Sequence, residues 1–343
     1  MDLLQRLLST CRDNAAVAQL RAEGLAPLAF HSLSNLPPID PAIRQLLAHE
    51  HRRSARFGLS ALADLQSLVP ALAAAQVPVL LMKGAALATR LYPAPSLRPM
   101  RDLDILIHRE DVSKAHDVLT GLGYTAAPER RPGAQLAFGT ERTYRRPGHL
   151  PVELHWHILN LTSYQHLAPA AWFWQQAEPV EIAGVSALVL RPTAQLLHLA
   201  AHLSLHHFDT RGIWTYDIAL LLSTWQIEPH LLQCAARQFA LGPALLAADA
   251  ATREHWDIGI SPDLRQQIEA AVDWPARWRW SLAGERWQAL RPLWNIAAQP
   301  TLAQRFAAAR ATLLPTTEYL RAWHGDASQL NRWLTKTRRL LLS

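Results

Sequence analysis

"MKGAALATRLYPAPSLRPMRDLDILI", residues 82–107, decides how the chain is read. It places Asp102 and Asp104 on either side of Leu103, at the mouth of an apolar, strand-like run where carboxylates are costly. Side chains alternate between the two faces of a strand, so the two aspartates point the same way and Leu103 opposes them. Like charges on one face repel, and a divalent cation between them removes the repulsion. Upstream, Lys83-Gly84 closes a short β-type run, "VPVLLM" (77–82), and opens a helical stretch, "AALATRLY" (85–92).

Further on, "PVELHWHI" (151–158) repeats the pattern. Glu153, His155 and His157 share one strand face, and Val152, Leu154 and Trp156 share the other. If this strand and "DLDILI" are neighbours in one sheet, three carboxylates converge. Such a cluster suits a magnesium site for phosphoryl or nucleotidyl transfer. "ERTYRR" (141–146), a Pro-Gly-His turn and "PVELHWHI" form an antiparallel hairpin, and "VEIAGVSALVL" (180–190) forms another.

Helical spacing dominates on both sides of this centre. The expected architecture is therefore α+β: a small mixed-sheet core at 76–191, an N-terminal helical segment at 1–75, and a C-terminal helical domain at 192–343. Half the residues are hydrophobic and 18% are charged, which excludes a disordered chain. No apolar run reaches the roughly 18–20 residues that span a bilayer, so stable membrane insertion is not expected. The first residues read as an amphipathic helix, not a signal peptide.

Cys11 and Cys234 lie far apart, with no metal or redox spacing, and read as two buried thiols in a reducing, cytoplasmic setting. A net charge of +6 and a sequence pI near 9.7 favour anionic partners such as nucleotides. His198, His202 and His206 form one helical stripe without an "HExxH" or a nearby cysteine, so packing or pocket lining is expected in place of zinc. Trp280, Trp287 and Trp294 recur every seven residues, with Trp274 and Trp278 just upstream, and read as a helix face packed in the C-terminal bundle. The basic tail "NRWLTKTRRLLLS" (331–343) reads as a last amphipathic helix.

From about Val79 to His157 the chain resembles the nucleotidyltransferase superfamily, the DNA polymerase β-like fold. It is most similar to an uncharacterised bacterial branch with an "LLKG…LY…R…D.D.L" signature and a later "ELHW". The matching elements are Leu81-Met82-Lys83-Gly84, Leu91-Tyr92, Arg98, Asp102 through Leu106, and Glu153-Leu154-His155-Trp156. "LLHLAAHLSLHHF" (196–208) and "WTYDIALLL" (214–222) resemble the branch's helical continuation, with His198, His202 and Asp217 in matching places.

The resemblance implies that Asp102 and Asp104 hold Mg²⁺, or Mn²⁺, against a nucleoside triphosphate such as ATP. Glu153 would complete the metal site or take the proton of an acceptor hydroxyl. Gly84 and Ala85, at a helix N-terminus, and Lys83, Arg98 and Arg101 would bind the nucleotide, while His155, His202 and Asp217 are candidates for the acceptor pocket. The reaction implied is transfer of a nucleoside monophosphate to a hydroxyl or phosphate, with release of pyrophosphate. The acceptor would be a small molecule, or a peptide or polysaccharide precursor. The alternatives are an RNA or protein acceptor, as in toxin-like relatives, or a catalytically degenerate module that binds a nucleotide or a partner. Two positions depart from the pattern: Gly84-Ala85 replaces the usual Gly-Gly or Gly-Ser, and Arg101 precedes Asp102 where the branch tends to carry a small residue.

Overall fold

Seven strands build one mixed sheet: β1 (Leu80–Leu81), β2 (Leu103–Leu106), β3 (Thr125–Ala126), β4 (Glu141–Arg145), β5 (Val152–His155), β6 (Ala177–Ile182) and β7 (Val185–Leu190). Their spatial order is β3-β4-β5-β2-β1-β7-β6. The computed structural model describes residues 14–33, 39–206 and 211–324. The β2–β5 and β1–β7 pairs are parallel, and the remaining neighbours are antiparallel. Both expected hairpins form. In the second, Ala183 and Gly184 take φ of 54° and 75°, the two left-handed positions that a two-residue hairpin turn requires.

The helices before and within the sheet are α1 (Asn14–Ala22), α2 (Ala26–Ser32), α3 (Pro41–Ala74), α4 (Lys83–Arg90), α5 (Val112–Gly121), α6 (Ala134–Phe138), α7 (Thr162–Gln165) and α8 (Ala170–Gln175). After the sheet come α9 (Pro192–Ala201), a π-helical turn at His202–His206, α10 (Gly212–Thr224), α11 (Pro229–Gln238), α12 (Gly242–Trp256) and α13 (Pro262–Ala271). The chain continues through α14 (Trp274–Ala283), α15 (Arg291–Ala297), α16 (Leu302–Leu313) and α17 (Thr317–His324). The α+β reading holds: a mixed sheet flanked by helices.

Strand alternation divides the interior in two. Leu81, Leu103, Ile105, Val152, Leu154 and Val189 join the second half of α3 and α5 in one apolar cluster. Leu80, Leu106 and Leu190 join α1, α2, the start of α3 and helices α9 to α13 in the other. Asp104 and His155, out of phase with the first set, therefore face the second layer. This layer is built from both ends of the described chain, and it walls the site.

Several expectations are corrected. The run at 77–82 gives a strand only at Leu80–Leu81. β5 ends at His155, so His157 leaves the face of Glu153, and its Nδ1 accepts the Leu159 N–H at 3.0 Å. Cys234 is exposed, not buried, and Cys11 lies outside the described residues. The tryptophans do not form one buried helix face, because α14, a 3₁₀ turn and α15 interrupt the repeat. Trp274 and Trp278 are 71% and 54% exposed and line a surface cavity. The basic tail lies outside the described residues. Among the described residues one helix, α3, is by length and composition long and apolar enough to cross a membrane, although the sequence has no unbroken apolar run of that length. Ile43, Leu47, Leu65, Leu68 and Leu72 along it are buried in the two clusters.

Candidate active site at the β2–β5 pair

Parallel pairing of β2 with β5 sets Asp104 beside Glu153 and Leu106 beside His155. Antiparallel pairing of β4 with β5 then sets Glu141 opposite His155. Lys83 comes from the other side: the Met82 N–H donates to the Asp104 carbonyl at 3.1 Å, which fixes the start of α4 against β2. Lys83 itself adopts φ of +42°, in the left-handed region that a lysine seldom takes.

These placements produce one charged cluster. Lys83 Nζ donates to Asp104 Oδ1 at 2.7 Å, and His155 Nε2 lies 3.0 Å from the same oxygen. His155 Nδ1 lies 3.1 Å from Glu141 Oε2, and Nε2 lies 3.7 Å from Glu153 Oε2. Asp104 and His155 are 5% and 4% exposed, so water screens little here.

Burial alone would raise the Asp104 carboxyl, but Lys83 and His155 outweigh it and hold the group well below the usual carboxylate range. Burial would lower His155, yet its bonds to Asp104 and Glu141 lift it to about 9. Burial would also raise Glu141, but His155 brings it to about 2. Burial and then Asp104 push Asp102 up to about 6. Burial, followed by Asp104, Asp102 and Glu141, pushes Glu153 up to about 7. At neutral pH Asp104 and Glu141 face Lys83 and His155, while Asp102, at about 6, adds a further negative charge and Glu153, at about 7, part of one.

Among the described residues, Asp104, Glu153 and His155 form a group whose ligand atoms all lie within 4.8 Å of one another. The expected trio was Asp102, Asp104 and Glu153. Asp102, just before β2, senses Asp104 and lines the same cavity, but it is not in that group. His155, expected at an acceptor pocket, is in it. Carboxylate oxygens suit hard ions such as Mg²⁺ and Mn²⁺, and an imidazole is the less usual neighbour for Mg²⁺. The two carboxylates fit a divalent ion, and His155, protonated and engaged at both ring nitrogens, positions Asp104 beside it.

The cluster opens into a cavity of about 340 Å³. Its walls come from α1, α3, the 98–102 loop, the sheet, the π turn and α10. Lys83, Gly84, Arg98, Arg101, His202, His206 and Asp217 all line it.

Not every expected nucleotide contact is available to a ligand. Arg98 forks onto Asp217, with Nε to Oδ1 at 2.9 Å and Nη2 to Oδ2 at 2.7 Å. Tyr92 donates to Asp217 Oδ1 at 2.7 Å. All three are buried, and Asp217, expected in an acceptor pocket, is the anchor of this pair. Gly84 has no left-handed φ; a Cβ there would meet Arg98 Nη1 at 3.0 Å and Met100 Cγ at 3.1 Å, so close packing accounts for the glycine. The Ala85 methyl faces the apolar cluster. Arg101 is exposed at the cavity rim, with no ion pair or hydrogen bond among the described residues. Glu141 escaped the sequence reading, which treated "ERTYRR" as a hairpin arm alone. Its register opposite His155 was the available signal.

A family model described as an uncharacterised nucleotidyltransferase matches residues 11–256. Among curated proteins, none matches this chain. The chain is similar to the crystal structure of an antigenic nucleotidyltransferase-like protein from Paracoccidioides brasiliensis. The identity is 19% and the TM-score 0.38, over 63% of this chain and 95% of that one. The family match spans most of the sequence and contains the whole carboxylate cluster, and on that ground the chain belongs to the uncharacterised nucleotidyltransferase family, with a nucleotide as its class of substrate.

Proposed function

We propose that this cavity transfers a nucleoside monophosphate from a nucleoside triphosphate to an acceptor hydroxyl or phosphate, releasing pyrophosphate. The observation that carries the reading is the in-register pair Asp104 and Glu153, converging with His155 in a cavity of a nucleotidyltransferase-family chain. Asp104 and Glu153 would hold a divalent metal, Mg²⁺ or Mn²⁺, with Asp102 beside them. Bound there, such an ion neutralises phosphate oxygens and makes the α-phosphorus easier to attack.

The protein groups have separable roles. Glu141 holds the His155 ring, and His155 in turn orients the Asp104 carboxylate. Lys83 Nζ, 13% exposed at the cavity wall, presents donors to an oxyanion there. Glu153 is more open than Asp104, which supports it as the carboxylate that takes the acceptor's proton.

A second reading, a nucleotide- or partner-binding module without transfer, has one observation in its favour. Lys83 and His155 already engage Asp104 Oδ1, so the most enclosed carboxylate has its charge offset by the protein's own cations. One experiment separates the two and reads the acceptor class. The protein is incubated with each α-³²P-labelled triphosphate, Mg²⁺ and a cell extract. Transfer predicts Mg²⁺-dependent label on one molecule, whether small molecule, peptide, RNA or protein. Binding without labelling of any acceptor favours the second reading.

A further inference from the structure

A triphosphate brings about four negative charges into the cavity, and a metal cancels only part of them. Lys83 and Arg98, the obvious counter-charges, are engaged by buried carboxylates at 2.7 Å. Their charge is offset there, so a triphosphate needs further cations, and the N-terminal helices carry two at the cavity. Arg21 of α1 and Arg53 of α3 line the same cavity as Asp104 and Glu153. Both contact the one carboxylate of Glu50, at 3.8 and 3.5 Å, longer than hydrogen bonds. Two guanidiniums on one carboxylate leave a positive charge over, with donors uncommitted. Their side chains are 57% and 37% exposed, within reach of an entering anion.

Two more observations tie α3 to the site. Its Gly58 packs against the loop that carries Arg98 to Asp102, where a Cβ would lie 3.6 Å from the Pro95 carbonyl oxygen. One turn before, Ser54 lines the cavity at 4% exposure, with a hydroxyl that has no hydrogen-bond partner. A buried hydroxyl left unpaired at a cavity wall is costly unless a ligand or water serves it.

We infer that Arg21 and Arg53, carried by the N-terminal helices, bind the polyphosphate of the nucleotide together with Arg101. This rests on the nucleotidyl-transfer reading of the same site. The helical segment before the sheet is then part of the substrate site, not an appendage. Arginine suits the task because its fork meets two phosphate oxygens at once.

The test titrates inorganic tripolyphosphate with Mg²⁺, and separately Mg²⁺-ATP, into the wild type and the variants Arg21→Gln, Arg53→Gln and Arg52→Gln. Arg52 is exposed on the same helix and does not line the cavity, so its variant controls for a general loss of charge. Thermal melts check that each variant is folded. The expected result is roughly tenfold or weaker binding of both probes for Arg21→Gln and Arg53→Gln, with Arg52→Gln close to wild type. Equal affinity in all four proteins overturns the inference, as does equal loss in Arg52→Gln or no tripolyphosphate binding by the wild type. The labelling assay reads the underlying function independently. Selective loss of tripolyphosphate binding without any nucleotidyl transfer would keep these arginines as a polyphosphate site while the transfer reading falls.

Discussion

Arg98 and Asp217 stand 119 positions apart and meet as a forked ion pair, at 2.9 and 2.7 Å, that joins the loop before β2 to α10. The side chains are 8% and 1% exposed. Removing one member leaves a buried charge without its partner, which costs about 3–5 kcal/mol. Arg98→Ala and Asp217→Asn should each lower stability by that order in denaturant titrations. The double variant Arg98→Met with Asp217→Leu should recover much of the loss, since no charge is then stranded. A single variant as stable as wild type would show that the pair does not hold the loop.

Ala85 stands where the superfamily that the chain resembles usually carries a glycine or a serine, and it is 2% exposed in the apolar cluster. A hydroxyl added there points into packed hydrocarbon and away from the cavity. Ala85→Ser should lower stability by about 1 kcal/mol and leave nucleotide affinity unchanged. Tighter Mg²⁺-nucleotide binding by this variant, measured by calorimetry, would show that position 85 does face the phosphates.

His198 is 1% exposed, and neither ring nitrogen has a hydrogen-bond partner. Burial, and next the nearby Lys83, push its pKa down from 6.5 to about 3. The sign follows from which state takes up the proton. Below pH 6.5 the unfolded chain protonates this ring and the folded chain does not, so stability is lost as pH falls toward about 3. The slope is ~1.4 kcal/mol per pH unit for one group. His198→Leu should therefore lose less stability than wild type between pH 6.5 and 5, read from urea midpoints at each pH. Parallel pH profiles would count against a neutral buried ring.

The sheet and the acidic cluster were legible because strand alternation is a local rule. Asp104 and Glu153 declare their faces within four-residue strands, and the antiparallel hairpin that carries Glu153 is marked by its turn. Pairing between strands far apart in sequence is less visible. The register that sets Glu141 opposite His155 depends on how the hairpin closes, and the sequence reading missed it. Arg98 looked like a phosphate contact because its partner, Asp217, arrives from a helix 119 positions later. Arg21 and Arg53 sit on amphipathic helices whose charged faces resemble any solvated surface until the fold lays them along the cavity. The tryptophan repeat misled for another reason: a seven-residue period assumes one continuous helix, and the chain breaks between α14 and α15.

Asp104 tests the central claim most directly. The charge is more enclosed than the sequence implied, at 5% exposure, and it carries Lys83 and His155 on one oxygen. Asp104→Asn keeps the shape and an accepting Oδ1, and removes the charge that would bind the metal; a thermal melt confirms that the variant is folded. The measurement is the rate of label transfer from the α-³²P-triphosphate that wild type uses, with Mg²⁺ titrated from zero, for wild type and Asp104→Asn side by side. Transfer should rise with Mg²⁺ in wild type and fall by roughly 100-fold or more in the variant, a loss of about 3 kcal/mol of transition-state stabilisation. Transfer by folded Asp104→Asn at the wild-type rate, or transfer by wild type that ignores Mg²⁺, would contradict the claim.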